Sequence, residues 1–131
     1  MKRVYLFSFL TLLVFLGCKK STPDYRECYV GTYKFEYQEV VIIPSSPPTY
    51  DTTIVSYTGT IEMADSIGLN IAWHNGTIRM FEVNTAGSLV RCYEVPAGFI
   101  NSTNVDLNYN ESDCPNTPNT LVEVKLTGVK Q

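Results

Sequence analysis

The sequence of 131 residues predicts an all-β domain: one antiparallel meander of about seven strands, arranged as a small up-and-down barrel or as a two-sheet sandwich. Three observations predict this fold. Apolar and polar residues alternate with a period of two in several segments, turns containing glycine or proline separate them at short intervals, and Tyr, Phe, Thr and Val are abundant. No segment after residue 17 has a convincing helical period.

The first two predicted strands form a long hairpin. Tyr33 and Phe35 alternate with polar residues, and the apolar run 40–43 continues the first strand. A loop with three prolines then interrupts regular pairing, and the return strand occupies residues 51–63. We expect the tip, residues 40–50, to project beyond the body of the domain.

The next hairpin has the strongest local signal in the chain. Asn75-Gly76 is the preferred pair for a two-residue type I′ turn, in which both residues need positive φ. That turn places Trp73 opposite Ile78 and directs Ile78 and Met80 to the inner face. Phe81 is then expected on the outer face.

Three further strands complete the predicted meander. Residues 89–95 alternate, and the segment 96–98, Pro-Ala-Gly, is expected to end that strand. Alternation returns in residues 103–109, and the last strand, residues 121–127, follows the loop 111–119.

The N-terminus has the pattern of a secretory signal. Residues 1–3 are basic at positions 2 and 3, and residues 4–16 are mostly apolar. Thirteen helical residues would span roughly 20 Å, which is shorter than the hydrocarbon core of a bilayer. The segment ending in Gly17-Cys18 resembles the lipobox of bacterial lipoproteins, although Phe15 stands where leucine is usual. The resemblance implies that Cys18 is lipidated and becomes the mature N-terminus.

This resemblance divides the chain into three parts. Residues 1–17 are the lipoprotein signal peptide, residues 18–27 are the lipidated cysteine and a polar tether, and residues 28–131 are the β domain. Lys19 after the cysteine resembles lipoproteins that are passed to the outer membrane, and the Cys-Lys-Lys start resembles those of the Bacteroidota. We therefore expect an outer membrane lipoprotein of a bacterial cell envelope, on either face of the membrane.

Charge excludes one class of partner. From Cys28 onward the chain has eleven acidic and five basic residues, which gives a net charge of −6. Binding to nucleic acid depends on a basic surface that neutralises phosphates. We therefore expect no nucleic acid partner.

The cysteines offer several pairings. If Cys18 carries lipid, three remain, and an exported protein is expected to form one disulfide. In a meander of seven strands, the start of the first strand and the loop before the last lie at the same end. This favours a disulfide between Cys28 and Cys114, with Cys92 a buried free thiol; the other two pairings remain open.

The sequence contains no recognisable catalytic, metal or cofactor motif. His74 is the only histidine, and neither a nucleophile motif nor a phosphate-binding loop accompanies it. The segment 106–113 has the spacing of a calcium loop at first, but Glu111 replaces its required glycine. We expect no catalytic residue, no metal and no cofactor.

Binding residues are the remaining candidates. Trp73, Tyr33 and Tyr57 could line an apolar cavity or simply fill the core. Gly31-Thr32-Tyr33 is similar to the G-x-W motif that opens the lipocalin fold, with Tyr33 in place of tryptophan. The resemblance implies a lipocalin-like barrel and a small apolar ligand.

The hairpin tip is the other candidate contact surface. Val41 and Ile43 lie in its exposed apolar run, and such patches commonly bind a partner. The expected function is therefore a non-enzymatic binding module that contacts an envelope protein or glycan through residues 40–50. The alternatives are a carrier of a small apolar ligand and, less favoured, an enzyme with a site around His74.

Overall fold

The computed structural model describes residues 24–92, 94–115 and 120–131. The signal peptide, Cys18 and the tether up to residue 23 lie outside the described residues, so these assignments remain predictions. Within the described ranges, no helix is long and apolar enough to cross a membrane.

Eight antiparallel strands follow one another around a closed barrel, in which the last strand also pairs with the first. The predicted all-β meander is confirmed, and the barrel is the architecture adopted. The strands are β1 Gly31–Ile43, β2 Thr49–Met63, β3 Gly68–Ala72, β4 Ile78–Val83, β5 Ser88–Arg91, β6 Val95–Ile100, β7 Asn104–Asn110 and β8 Leu121–Lys130.

The barrel interior is filled by the inward-facing side chains of alternate residues. On β1, Tyr33, Phe35 and Tyr37 are buried, as the sequence predicts. Their rings join one aromatic stack: Phe35 lies 5.7 Å from Tyr33 and 5.1 Å from Tyr57 between ring centroids. Aliphatic residues from the other strands complete the core, including Ile61, Leu69, Ile71, Leu89, Ile100, Val105, Leu107, Val124 and Leu126.

The turn between β3 and β4 differs from the predicted one. Its loop has three residues, His74 to Gly76, because the Trp73 N–H donates to the Thr77 carbonyl oxygen at 2.8 Å. Gly76 adopts a φ of +79°, as expected for the left-handed residue that closes a three-residue hairpin loop. The extra loop residue shifts the register by one position.

That shift reverses the faces of β4. Ala72 pairs with Ile78, and Leu69 pairs with Phe81. Phe81 is therefore buried, whereas Ile78 and Met80 face solvent, and the predicted orientation of these three residues is wrong. A shift by one residue reverses every side chain because side chains alternate along a strand.

The eighth strand comes from a segment that the sequence assigned to a turn. Residues 96–98 lie inside β6, and Pro96 pairs with Val90 near the end of β5. The preceding strand ends earlier than expected, since Cys92 and Glu94 both adopt positive φ and turn the chain there. Gly98 allows a close approach to the carbonyl oxygen of Asp106 on β7.

The extra strand also explains why the predicted disulfide is wrong. Cys114 is bonded to Cys92, with 5.6 Å between their Cα atoms, and not to Cys28. With eight strands instead of seven, the loop before the last strand lies at the end of the barrel where β1 finishes. The turn after β5, which contains Cys92, lies at the same end.

The other end of the barrel is covered by a short 3₁₀ helix, Tyr25–Cys28. We call this the closed end, and the opposite end, where β1 finishes and β8 begins, the mouth. Arg26 is only 5% exposed and donates to the Gly68 carbonyl oxygen at 2.9 Å, while Asp24 accepts from its Nη2 at 2.6 Å. Residues 24–27, expected in the tether, thus pack on the barrel.

Candidate functional site

The three aromatic candidates from the sequence lie in or beside the barrel interior, but not in one site. Tyr33 is fully buried near the closed end, and its hydroxyl donates to the Tyr29 carbonyl oxygen at 2.7 Å. Trp73 is buried near the mouth, 5.5 Å from the ring of Tyr37. Tyr57 is half-buried and donates to the Ala72 carbonyl oxygen at 3.0 Å. Burial raises the pKa of both Tyr33 and Tyr57 to about 12.

A polar cluster of Arg79, Glu111 and Arg91 lies at the mouth. Arg79 forms an ion pair with Glu111, and its Nη1 also donates to the Tyr109 hydroxyl at 3.1 Å. Arg91 Nη2 is 3.7 Å from the same oxygen of Glu111. The guanidinium of Arg79 lies over Trp73, 4.7 Å from the ring centroid, so this side of the cluster packs on the indole ring.

Within this cluster, one carboxylate faces two guanidinium groups. Among the described residues, none provides a hydrogen-bond partner for the buried Glu111 Oε2 or the buried Arg91 Nε. Burial, partly offset by the positive charge of Arg79, raises the pKa of Tyr109 to about 12, so its hydroxyl stays protonated. A cluster of fixed charges with spare hydrogen-bonding groups can bind a polar ligand, but it contains no nucleophile paired with a base.

Sequence reasoning did not single out Arg79, Arg91 or Glu111. The predicted register placed Phe81 on the outer face of β4, and Arg79 shares that face because side chains alternate. The observed register turns both residues inward. Glu111 follows β7 in a short 3₁₀ helix, Glu111–Asp113, which nothing in the local pattern predicts. Phe81, an isolated large apolar residue on a supposed outer face, was the one signal of the alternative register.

His74 lies outside this cluster. Its side chain is exposed at the tip of the β3–β4 loop and packs on the ring of Tyr37, 4.6 Å away, with Tyr57 at 6.1 Å. Among the residues that the structure describes, no hydrogen bond or ion pair joins His74 to a carboxylate, and no group of three or more His, Cys, Asp or Glu could hold a metal ion.

The β1–β2 hairpin carries candidate residues on both faces. Val41 and Ile43 share the face of Tyr37; Val41 is half-buried beside Val122 of β8, and Ile43 is exposed at the rim of the mouth. Ile42 points outward, where it is flanked by Tyr50 on β2 and Leu121 on β8.

Val40 and Ile54 lie on the same outer face, diagonal to each other across the β1–β2 ladder, and extend this apolar patch. Tyr50 and Ile54 are each 65% exposed and Leu121 is exposed as well, whereas Val40 and Ile42 are half-buried. Apart from Glu123 beside Val40, the strand neighbours of the patch are uncharged. We call the set Val40, Ile42, Tyr50, Ile54 and Leu121 the hairpin patch.

The described part of the barrel surface includes two grooves. The larger, about 380 Å³, is at the closed end and is lined in part by Tyr25, Ile67, Val83 and Val90. The smaller, about 180 Å³, has a polar lining that includes Gln38, Asn108 and Lys125.

No protein-family model, curated protein or solved structure matches this chain.

Proposed function

We propose that this chain is a non-enzymatic, lipid-anchored β-barrel domain of the bacterial cell envelope that acts as an interaction module. The hairpin patch is the contact surface, and the exposure of Tyr50, Ile54 and Leu121 within it is the observation that carries the proposal. Contiguous exposed apolar residues on a soluble domain commonly mark a binding site. Here they lie on three neighbouring strands, because β1 pairs with β2 along its full length and with β8 as far as Ile42.

The composition of the patch favours a protein partner over a glycan. Four of its five residues are aliphatic, and only Tyr50 offers an aromatic face. Aliphatic side chains bind chiefly by removing apolar surface from water, which suits an apolar protein surface. The acidic domain around the patch favours a partner with basic residues at the rim.

The position of the N-terminus supports an orientation in which the hairpin patch points away from the membrane. Residue 24 lies at the closed end, and residues 18–23 could span no more than about 20 Å. From Met63 to Tyr50, β2 extends roughly 40 Å toward the mouth. A lipid at Cys18 would therefore attach the closed end to the outer membrane and leave the hairpin patch free for a partner.

The contact surface can be tested by photo-crosslinking in the producing bacterium. A photoreactive residue replaces Ile54 in one variant and Ile78 in a matched control, because Ile78 is 66% exposed on the outer face of β4. We expect a discrete adduct from position 54, which Ile42→Asp abolishes, and none from position 78. Equal adducts from both positions would refute a specific contact at the patch.

The lipid anchor has a separate test. Metabolic labelling with a radioactive fatty acid should mark the wild-type protein, and Cys18→Ala should abolish the label and release the protein from the membrane fraction. Labelling that persists in Cys18→Ala would contradict the lipobox assignment, with no bearing on the hairpin patch.

The groove at the closed end favours a second candidate, the binding of a small apolar molecule. Its volume is within the range of ligand pockets, and Tyr25, Ile67, Val83 and Val90 provide apolar lining. Native mass spectrometry of the purified, unheated protein tests it. A co-purified mass that Val83→Asp removes would support this function, and a bare protein would exclude stable retention of a ligand.

A further inference from the structure

Strand β2 is much longer than its neighbour β3. It pairs with β1 from Ile61 to Thr49, whereas β3 pairs only with Ile61 to Met63. In the described part of the chain, no strand pairs with the second edge of residues 49–57. This segment therefore presents an open strand edge beside the mouth, which we call the β2 edge.

The ladder fixes which backbone groups face outward along the β2 edge. The Ala64 N–H donates to the Gly68 carbonyl oxygen at 3.0 Å, so even-numbered residues of this strand direct their backbone groups toward the β3 side. Tyr50, Thr52 and Ile54 consequently present an N–H and a C=O away from β1. Their odd-numbered neighbours bond to β1 instead.

The β2 edge lacks the features that normally prevent strand addition. Between Thr49 and Tyr57 there is no proline and no lysine, and Asp51 is the only charged residue. Exposed strands usually carry such residues or a bulge to block pairing with another chain. The pairing of this segment with β1 is regular throughout, without a bulge.

We propose that the β2 edge binds the same edge of a second copy of this chain, antiparallel and around a twofold axis through Thr52. In this register, Tyr50 lies opposite Ile54 of the second copy, and Asp51 lies opposite Thr53. Three hydrogen-bonded residue pairs then exchange two bonds each, about six in all. A twofold axis makes every contact occur twice, as in isologous dimers.

The side chains on this edge are self-complementary in that register. Pairs of an aromatic and a β-branched residue, here Tyr50 and Ile54, stabilise antiparallel strands, as does the Thr52 pair on the axis. The Asp51 carboxylate can accept a hydrogen bond from the Thr53 hydroxyl of the second copy. Neither Asp51 lies directly opposite the other, so the like charges do not oppose pairing strongly.

Residues 18–23 of the same chain are too short to reach the β2 edge and bind there. Residue 24 lies at the closed end, and residues 18–23 span at most about 20 Å, which is about half the distance to Tyr50. The proposed dimer does not require the partner proposed above. It would place two hairpin patches side by side, because Tyr50 and Ile54 belong to both surfaces.

Disulfide trapping tests the twofold register in the full chain. Paired residues of this kind have Cα atoms about 5.5 Å apart, which suits a disulfide. Thr52→Cys should give a reducible covalent dimer in the membrane fraction, and Thr60→Cys, on the same strand opposite Thr32 of β1, should give none. Absence of the Thr52→Cys dimer, or equal amounts from both variants, would overturn the proposal.

A backbone variant separates strand pairing from side-chain contact. Ile54→Pro removes an N–H that points away from β1, so the barrel should fold, whereas Ile54→Val keeps that N–H. Sedimentation equilibrium of the full-length protein, in density-matched detergent from about 1 μM to about 1 mM, should show a concentration-dependent dimer. We expect Ile54→Pro to weaken it at least tenfold and Ile54→Val to leave it nearly unchanged.

The results that would overturn the dimer differ from the results that would refute a partner at the hairpin patch. A monomer at every concentration for the wild-type protein overturns the dimer, even if the crosslink from position 54 to an envelope protein persists. A Thr52→Cys adduct with a different protein would assign the β2 edge to a foreign strand and also overturn the dimer. If Ile54→Pro fails to fold, judged by circular dichroism, the trapping experiment still decides.

Discussion

Replacing Phe81 by alanine tests the register of the β3–β4 hairpin. Phe81 is fully buried, with ring centroids 6.3 Å from Trp73 and 5.8 Å from Tyr109. Removing such a ring costs the transfer free energy and leaves a cavity, so we expect Phe81→Ala to lower the free energy of unfolding by about 3–5 kcal/mol. Ile78→Ala is the matched control, because this residue is 66% exposed and should cost less than about 0.5 kcal/mol.

Urea unfolding followed by tryptophan fluorescence measures both effects, since Trp73 lies beside Phe81. The alternative register, with a two-residue turn, would exchange the two residues between faces and reverse the order of the losses. A larger loss for Ile78→Ala than for Phe81→Ala would therefore refute the three-residue loop and the inward position of Arg79 that follows from it.

Three further predictions concern other parts of the barrel. Peptide mapping without reduction should recover Cys92 linked to Cys114, and replacing both by serine should cost about 3 kcal/mol, because the bond closes a loop of 22 residues; a Cys28–Cys114 peptide would contradict the pairing. The side-chain hydrogen bond from Arg26 lowers the pKa of Asp24 to about 2 from 3.8, so its stabilisation is present above about pH 4 and disappears as the pH falls through about 2. The difference in Tm between the wild type and Asp24→Asn should shrink over that range, and a constant difference would exclude the ion pair as its cause. Gly87 and Gly76 have φ of +86° and +79°, but only at Gly87 would a Cβ run into a backbone oxygen, that of Ile100. Gly76→Ala should therefore cost about 1 kcal/mol and Gly87→Ala at least about 3 kcal/mol in the same urea assay; equal costs would show that backbone strain alone decides both.

The candidate site was only partly predictable from the sequence. The apolar run in residues 40–43, with Tyr50 across the loop, indicated the hairpin as a contact surface, because an apolar run is recognisable from neighbouring residues alone. Ile54 and Leu121 join the patch through pairing across β1, which is decided by the register of three strands. The Arg79–Glu111 pair joins two segments 32 residues apart, and no local pattern connects them.

Strands whose two faces differ clearly in polarity could be predicted from the local pattern of residues alone. Tyr33, Phe35 and Tyr37 alternate with polar residues and therefore share one face of β1. That face is buried, because removing three aromatic rings from water stabilises the folded state. The loop at Gly76, the strand through Pro96 and the partner of Cys114 depend on contacts between segments that are distant in sequence. In each case the local pattern is compatible with more than one conformation. The pairing around the closed barrel settles which one forms, because an added residue changes the register and an added strand moves a loop to the opposite end.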